Sequence, residues 1–448
     1  MIADKESYFV RKIREWVKLA ISQGVVNFED LLNQLPSVYP TKVVSALSKL
    51  TNEGYIDAST FARLQPRAIS KLQLIPTAYS LLPLPHPLDY EWRFSNQSAR
   101  LLFDIANCYC RSGKNILLFG TPGLALHALL QKQKHPIIFS GEDNLVTKRL
   151  IDLNSIIEHS SSVHFCKSPA LTHRNADVVI LDPPWYLDFF RPMLEIAAGN
   201  CSLDGCLLVS FPPEGSQSSA VEDRQQILAD ARRLGLREED TYPLTLVYET
   251  PFFEQNALAA CGVHVRNPWR RSDLVVFRKV AETNCLFKRL IIPERNSWRQ
   301  IAIGRMRLFV QRETVHGERR SLRSLVKGDI LPTVSRHDPR RDCAQVWTPG
   351  NRIFASSSPN LVALAAQTVP SNLGFAHRIR FPGNVKVRKD IEQLSYMLQD
   401  IMLTEIAEEK AMYVPDQKYE SILKFGNSSK ELVHTQISKI IDRKLWKF

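Results

Sequence analysis

The stretch "ADVVILDPPW", Ala176 to Trp185, sets a carboxylate, two prolines and an indole in succession behind an apolar run. The apolar run has the length of a buried strand, which puts Asp182 at a strand end. An exocyclic amine conjugated to a ring is a poor nucleophile. A carboxylate placed there can accept one of its N–H bonds and raise electron density on nitrogen. Pro183 and Pro184 have no N–H and a fixed φ, so a carbonyl held beside the carboxylate can take the second N–H. Trp185 offers a flat surface on which a base can stack. Such an edge works mainly by orientation, and a base within a duplex must first be flipped out. A helix cap followed by proline also explains Asp182-Pro183, but it leaves Pro184-Trp185 without a reason.

An edge of this kind must be carried by a sheet. Residues 115–120, 136–141, 162–166, 177–182 and 205–211 read as short buried strands. Helical patterns at 124–133, 144–153, 189–199 and 224–235 separate most of them. This alternation predicts a mainly parallel, doubly wound sheet. Strands at 244–250 and 273–279, with no helical pattern between them, are expected to be antiparallel. Ligands bind such sheets at the carboxyl ends of the strands. Gly120, Thr121 and Gly123 follow the first strand, and the glycines would let backbone approach a ligand. Glu142 or Asp143, after the second strand, is placed to bond ribose hydroxyls, or to cap the next helix. Tyr186 and the loop residues Phe252, Phe253, Trp269, Arg270 and Arg271 are expected to rim the substrate site.

Residues 95–280 resemble the class I S-adenosylmethionine-dependent methyltransferases. The likeness rests on the turn at 120–123, the acid at 142–143, "DPPW" at 182–185 and the terminal strand pair. It implies a Rossmann-like sheet with its last strand antiparallel, and S-adenosylmethionine as cofactor. Two departures stand out. Leu118 occupies the place of the family's usual acid, and Thr121-Pro122 fill a turn that is denser in glycine elsewhere. "DPPW" also resembles the motif of amino-methyltransferases acting on adenine N6, cytosine N4 or glutamine amides. That resemblance implies that Asp182 accepts the amine proton, the Pro183 carbonyl holds the amine and Trp185 stacks. Residues 1–280 are also similar in architecture to branched-chain polyamine synthases, which use decarboxylated S-adenosylmethionine. A third expectation is a non-catalytic methyltransferase-fold subunit of a larger assembly.

The 448 residues allow two or three domains. Residues 1–75 read as a winged-helix-like domain: three helices between 7 and 57, then a short extended piece after Gly54. Thr41, Lys42, Ser45 and Lys49 would face outward from its third helix. Residues 76–94 form a linker whose prolines favour an extended path. Residues 281–448 read as a basic α+β accessory domain, with a strand at 299–313, two strands around Thr348–Asn351 and a long amphipathic helix at 387–413. That domain holds 28 Lys and Arg against 17 Asp and Glu, a net of +11 out of +12 for the whole chain. This local excess points to nucleic acid as a partner, with Arg305, Arg307, Arg319, Arg320, Arg323, Arg340 and Arg341 as candidate contacts. A protein partner is expected at the winged helix or at helix 387–413. The eight cysteines form no CxxC pair, and no metal site is expected. No window reaches the roughly 20 apolar residues of a membrane span. The charged N-terminal stretch lacks an apolar signal-type run, so a soluble, cytoplasmic protein is expected.

Overall fold

A computed structural model of the protein describes residues 2–66, 78–157, 163–166, 176–283, 297–312, 322–372 and 385–412. The N-terminal unit contains α1 (Ile2–Ser22), α2 (Phe28–Gln34) and α3 (Pro40–Asn52). Ile13, Val17, Leu31, Val43 and Leu47 meet in its core at helical spacing. Asn27 caps α2 by accepting the Asp30 N–H. The expected wing is replaced: after Gly54 the chain enters α4 (Ala58–Arg63), because Asp57 caps a helix start on the Thr60 N–H. Among the described residues of this unit there is no strand.

Residues 78–94 are far from a passive linker. After a 3₁₀ turn at Ala78–Leu81 the expected extended path is broken by a turn at 87–90, where the Asp89 N–H donates to the His86 carbonyl (2.9 Å) and Tyr90 has φ +52°. The fully buried Arg307 donates twice to the Leu84 carbonyl (2.9 and 2.7 Å), pairs with Asp89 and lies 3.6 Å from Glu91. Arg93 joins Glu91 (2.7 Å) to the Pro83 carbonyl (2.7 Å). His86 stacks on Phe309 at 3.9 Å, and burial pushes its pKa down to about 3, so the ring is neutral. These bonds strap the segment across the molecule.

The central sheet has eight strands in the order β1-β7-β8-β6-β5-β2-β3-β4. They are β1 (Arg93–Phe94), β2 (Ile116–Phe119), β3 (Ile137–Ser140), β4 (Val163–Cys166), β5 (Ala176–Leu181), β6 (Cys201–Phe211), β7 (Leu236–Glu249) and β8 (Arg271–Lys279). β4, β3, β2, β5 and β6 run parallel, and β8 is antiparallel to both β6 and β7. This is the expected Rossmann-like order, with β1 added at the β7 edge. Helices α5 (Asn96–Tyr109), α6 (Pro122–Leu130), α7 (Leu145–Ile156), α8 (Leu187–Asn200) and α9 (Ala220–Arg233) accompany the sheet. Apolar clusters form on its two faces. One expectation fails here. The segment between β7 and β8 does contain a helix, α10 (Phe252–Ala260), which buries Phe252, Phe253, Ala257 and Leu258 at helical spacing.

The C-terminal unit is a five-stranded sheet ordered β11-β13-β12-β10-β9. The single strand expected at 299–313 is a hairpin, β9 (Trp298–Ile303) and β10 (Met306–Gln311), turning at Gly304 with φ +61°. β11 (Leu322–Ser324) completes a sheet in which β12 (Val346–Trp347) and β13 (Ile353–Ser356) are the two strands expected around Thr348–Asn351. Helix α11 (Pro359–Asn372), which periodicity did not single out, packs against α12 (Val385–Met412), the long helix that it did. No described helix is long and apolar enough to cross a membrane.

Candidate functional site

Asp182 follows β5 directly, and two clefts meet at it. One cleft, a cavity of about 130 Å³, includes Phe119, Gly120, Phe139, Ser140, Glu142 and Asn144 in its wall. The other, of about 120 Å³, is walled by the "DPPW" residues, Tyr186, Tyr248, Phe253, Trp269 and Arg270. Asp182, Pro184, Tyr90 and Trp92 belong to both.

The first cleft occupies the expected cofactor position. Gly120 has φ +69°, and a Cβ there would approach Met193 Cε to 2.9 Å. This left-handed conformation favours glycine. Glu142 lines the cleft, whereas Asp143 turns away to Lys148 at 3.5 Å. Asn144, rather than either acid, caps α7 by accepting the Thr147 N–H (2.9 Å). Gly123 and Thr121 do not reach the cleft wall. A Cβ on Gly123 would meet the Tyr79 ring at 3.2 Å, so this glycine serves packing, and Thr121 is buried before α6. A sulfonium nucleoside fits the residues present. Ser140 Oγ is buried at the wall with no hydrogen-bond partner among the described residues, and Glu142 lines the same wall. No group of three metal-ligating side chains occurs among the described residues.

The second cleft gathers most of the residues expected at the substrate site. The Tyr248 hydroxyl donates to Asp182 Oδ1 at 2.6 Å, and Ser210 lies 2.5 Å from the same hydroxyl. Burial pushes the Asp182 pKa up to about 7 against the opposing bonds of Tyr248 and Ser210 and the charge of Arg270. The Tyr248 phenol is driven well above its ordinary value by its own burial and by the Asp182 charge. Asp182 therefore changes charge near neutrality. Within the motif, the Pro184 carbonyl accepts the Tyr186 N–H (2.7 Å) and the Trp185 carbonyl accepts from Gln217 (3.0 Å). Pro183 lines the same cleft.

Phe252 is a correction: it is fully buried against the C-terminal sheet and does not rim the cleft. Arg271 bonds Asn33 and Ser37 and so holds the N-terminal unit. Phe253, Trp269, Tyr186 and Arg270 do line the cleft. Tyr248, Tyr90, Trp92 and Tyr39 were not anticipated. Tyr39 comes from the N-terminal unit, Tyr90 and Trp92 from the strap, and Val334 from the C-terminal unit. Gly215 lets the loop after β6 approach the N-terminal unit, since a Cβ there would lie 2.4 Å from the Pro36 carbonyl.

The basic residues divide. Arg307 and Arg341 are buried, the first in the strap and the second 4.6 Å over Trp347, so neither presents a cation to phosphate. Arg305 pairs with Glu409 (2.6 Å) and Arg340 with Asp338 (2.6 Å). Arg323 is exposed on β11. Arg319 and Arg320 lie outside the described residues.

No family model and no curated protein matches the chain. Similar solved structures include a mutein of the branched-chain polyamine synthase from Thermus thermophilus, in complex with N4-aminopropylspermidine and 5′-methylthioadenosine. It is 13% identical and covers 64% of this chain and 98% of its own, with a TM-score of 0.47. The Thermus thermophilus synthase itself, with the same two compounds, is 13% identical over 61% and 88%, with a TM-score of 0.43. A methyltransferase from Pyrococcus furiosus is 16% identical over 42% and 84%, with a TM-score of 0.28.

Proposed function

We propose that this protein is an S-adenosylmethionine-dependent N-methyltransferase acting on the exocyclic amine of a planar ring, with adenine N6 in nucleic acid as the target. The observation that carries the reading is the position of Asp182, shared by the cleft at Gly120 and Glu142 and by an aromatic cleft. When bound, the sulfonium cofactor supplies an activated methyl group. Glu142 would hold its ribose hydroxyls, and Ser140 and the backbone at Gly120 would hold its remaining polar edge. Ionised Asp182 accepts one amine N–H, the Pro183 carbonyl accepts the other, and Trp185 with Trp92 confines the ring. The net +11 of residues 281–448 supports nucleic acid as the partner, although four of the arginines first considered are engaged within the fold.

A second reading has its own observation. The cofactor cleft is lined by Asp89, Glu91, Glu142 and Asp182, and no Lys, Arg or His lines it among the described residues. Such a wall suits a cofactor without a carboxylate, and hence aminopropyl transfer to a polyamine. Thermal unfolding with S-adenosylmethionine, its decarboxylated form and S-adenosylhomocysteine separates the readings. The methyltransferase is stabilised by the first and third and labels adenine-containing oligonucleotides, and Asp182→Ala abolishes the labelling. Preference for the decarboxylated form together with consumption of spermidine selects the second reading. Stabilisation by none of the three refutes both and leaves a non-catalytic subunit.

A further inference from the structure

The aromatic cleft contains one anion and one cation among its described lining residues, Asp182 and Arg270. Arg270 immediately precedes β8, where its carbonyl accepts the Tyr248 N–H at 3.0 Å. Tyr248 in turn holds Asp182, so one residue fixes both charged groups. The Arg270 guanidinium lies 3.9 Å from the Trp92 ring centroid, 5.1 Å from Trp185 and 5.4 Å from Trp269. Its plane is thus confined among three indoles, while its Nε has no hydrogen-bond partner among the described residues. Glu254, fully buried, interacts with both Arg270 and the Tyr39 hydroxyl. Burial drives the Glu254 pKa up to about 7, with Arg270 and Tyr39 pulling it back.

A cleft with one charged acceptor, one flat charged donor and aromatic walls specifies a complementary ligand. The ligand needs an N–H donor for Asp182, a neighbouring acceptor for the guanidinium and a flat ring between. An amine beside a ring nitrogen has all three. A polycation has no acceptor and would meet a fixed positive charge. We propose that Arg270 is the specificity-determining residue of this cleft, and that it selects amino-heterocycles whose reacting amine neighbours an acceptor nitrogen. This inference rests on the reading of Asp182 as the amine-orienting carboxylate.

The test compares adenine-containing oligonucleotides with analogues in which the ring nitrogen beside the amine, or the one across the five-membered ring, is replaced by C–H. The wild-type protein should favour the parent over one analogue by about ten- to a hundredfold in kcat/KM, the range of a hydrogen bond to a charged donor. Arg270→Ala should bring that preference to within about twofold. Arg270→Lys should restore it only in part, since an ammonium keeps the charge but not the plane. If the wild-type protein methylates parent and analogues equally, or Arg270→Ala keeps the full preference, this inference fails and the proposed function stands. If no amino-heterocycle is methylated while S-adenosylmethionine still stabilises the fold, both fail.

Discussion

Replacing Tyr248 by phenylalanine removes one bond to Asp182 and leaves the ring stacked on Phe94 at 4.7 Å. Burial raises the Asp182 pKa to about 7, and the Tyr248 hydroxyl is the largest opposing influence. A hydrogen bond to an ionised acceptor contributes about 1.5–3 kcal/mol. At about 1.4 kcal/mol per pKa unit, its loss lifts Asp182 by roughly one to two units, to about 8 or 9. About half of the wild-type carboxyls are ionised at pH 7, and about 1–10% would be in the variant. Methyl transfer at pH 7 should therefore fall by about 5- to 50-fold. Near pH 10 the variant should return to within a small factor of wild type. The assay is the pH profile of kcat/KM, which reports groups of the free protein. An acid limb that stays near pH 7 would refute the placement of Tyr248 as the group that tunes Asp182. So would an equal loss at every pH.

Three further outcomes follow from the same geometry. A carboxyl whose folded pKa lies above its unfolded value of 3.8 binds its proton more tightly when folded, so its burial is free below pH 4 and costs increasingly as pH rises through 7. Asp182→Asn should therefore be inactive yet more stable than wild type at pH 8, by about 2–4 kcal/mol, with the gap closing towards pH 4 in denaturant titrations. Glu142→Ala should weaken S-adenosylmethionine binding by about tenfold in calorimetry, the scale of one hydrogen bond to a charge, and leave the acid limb of Asp182 in place. Arg307→Ala removes the buried cation that pairs with Asp89 and donates twice to the Leu84 carbonyl, and should cost about 3–5 kcal/mol, read as a loss in melting temperature.

Local periodicity made the central sheet legible. β2, β3 and β5 are short apolar runs ended by glycine or aspartate, and "DPPW" marks its own strand end. What escaped detection depends on long-range packing. Nothing near Pro83–Trp92 reveals that Arg307, more than 200 residues later, will strap that segment over both clefts. Tyr248 reads as one more inward strand residue until the β7–β8 register faces it towards Asp182. The arginines of the C-terminal unit illustrate the opposite error. Composition registers their charge, but only the fold shows that Arg307 and Arg341 are spent on interior partners. Gly123 misled for a related reason, because a glycine beside a strand end serves a neighbouring ring as readily as a ligand.

The charge state of Asp182 is set by more than its own strand. A carboxylate at an open sheet edge would keep a pKa near its ordinary value, since water would solvate it. Here the cover comes from every part of the chain: Tyr39 from the N-terminal helices, Tyr90 and Trp92 from the strap, and Val334 from the C-terminal unit. The strap is held by a buried Arg307 and the N-terminal helices by Arg271, so each cover has a specific anchor. The accessory units therefore act on Asp182 through desolvation, raising its pKa towards neutrality. They also keep Arg270 confined among the indoles, where a guanidinium can hold a fixed plane. A central sheet freed of its neighbours would regain an ordinary carboxylate at Asp182 and, under the proposed function, lose both its orientation of the amine and its choice of ring.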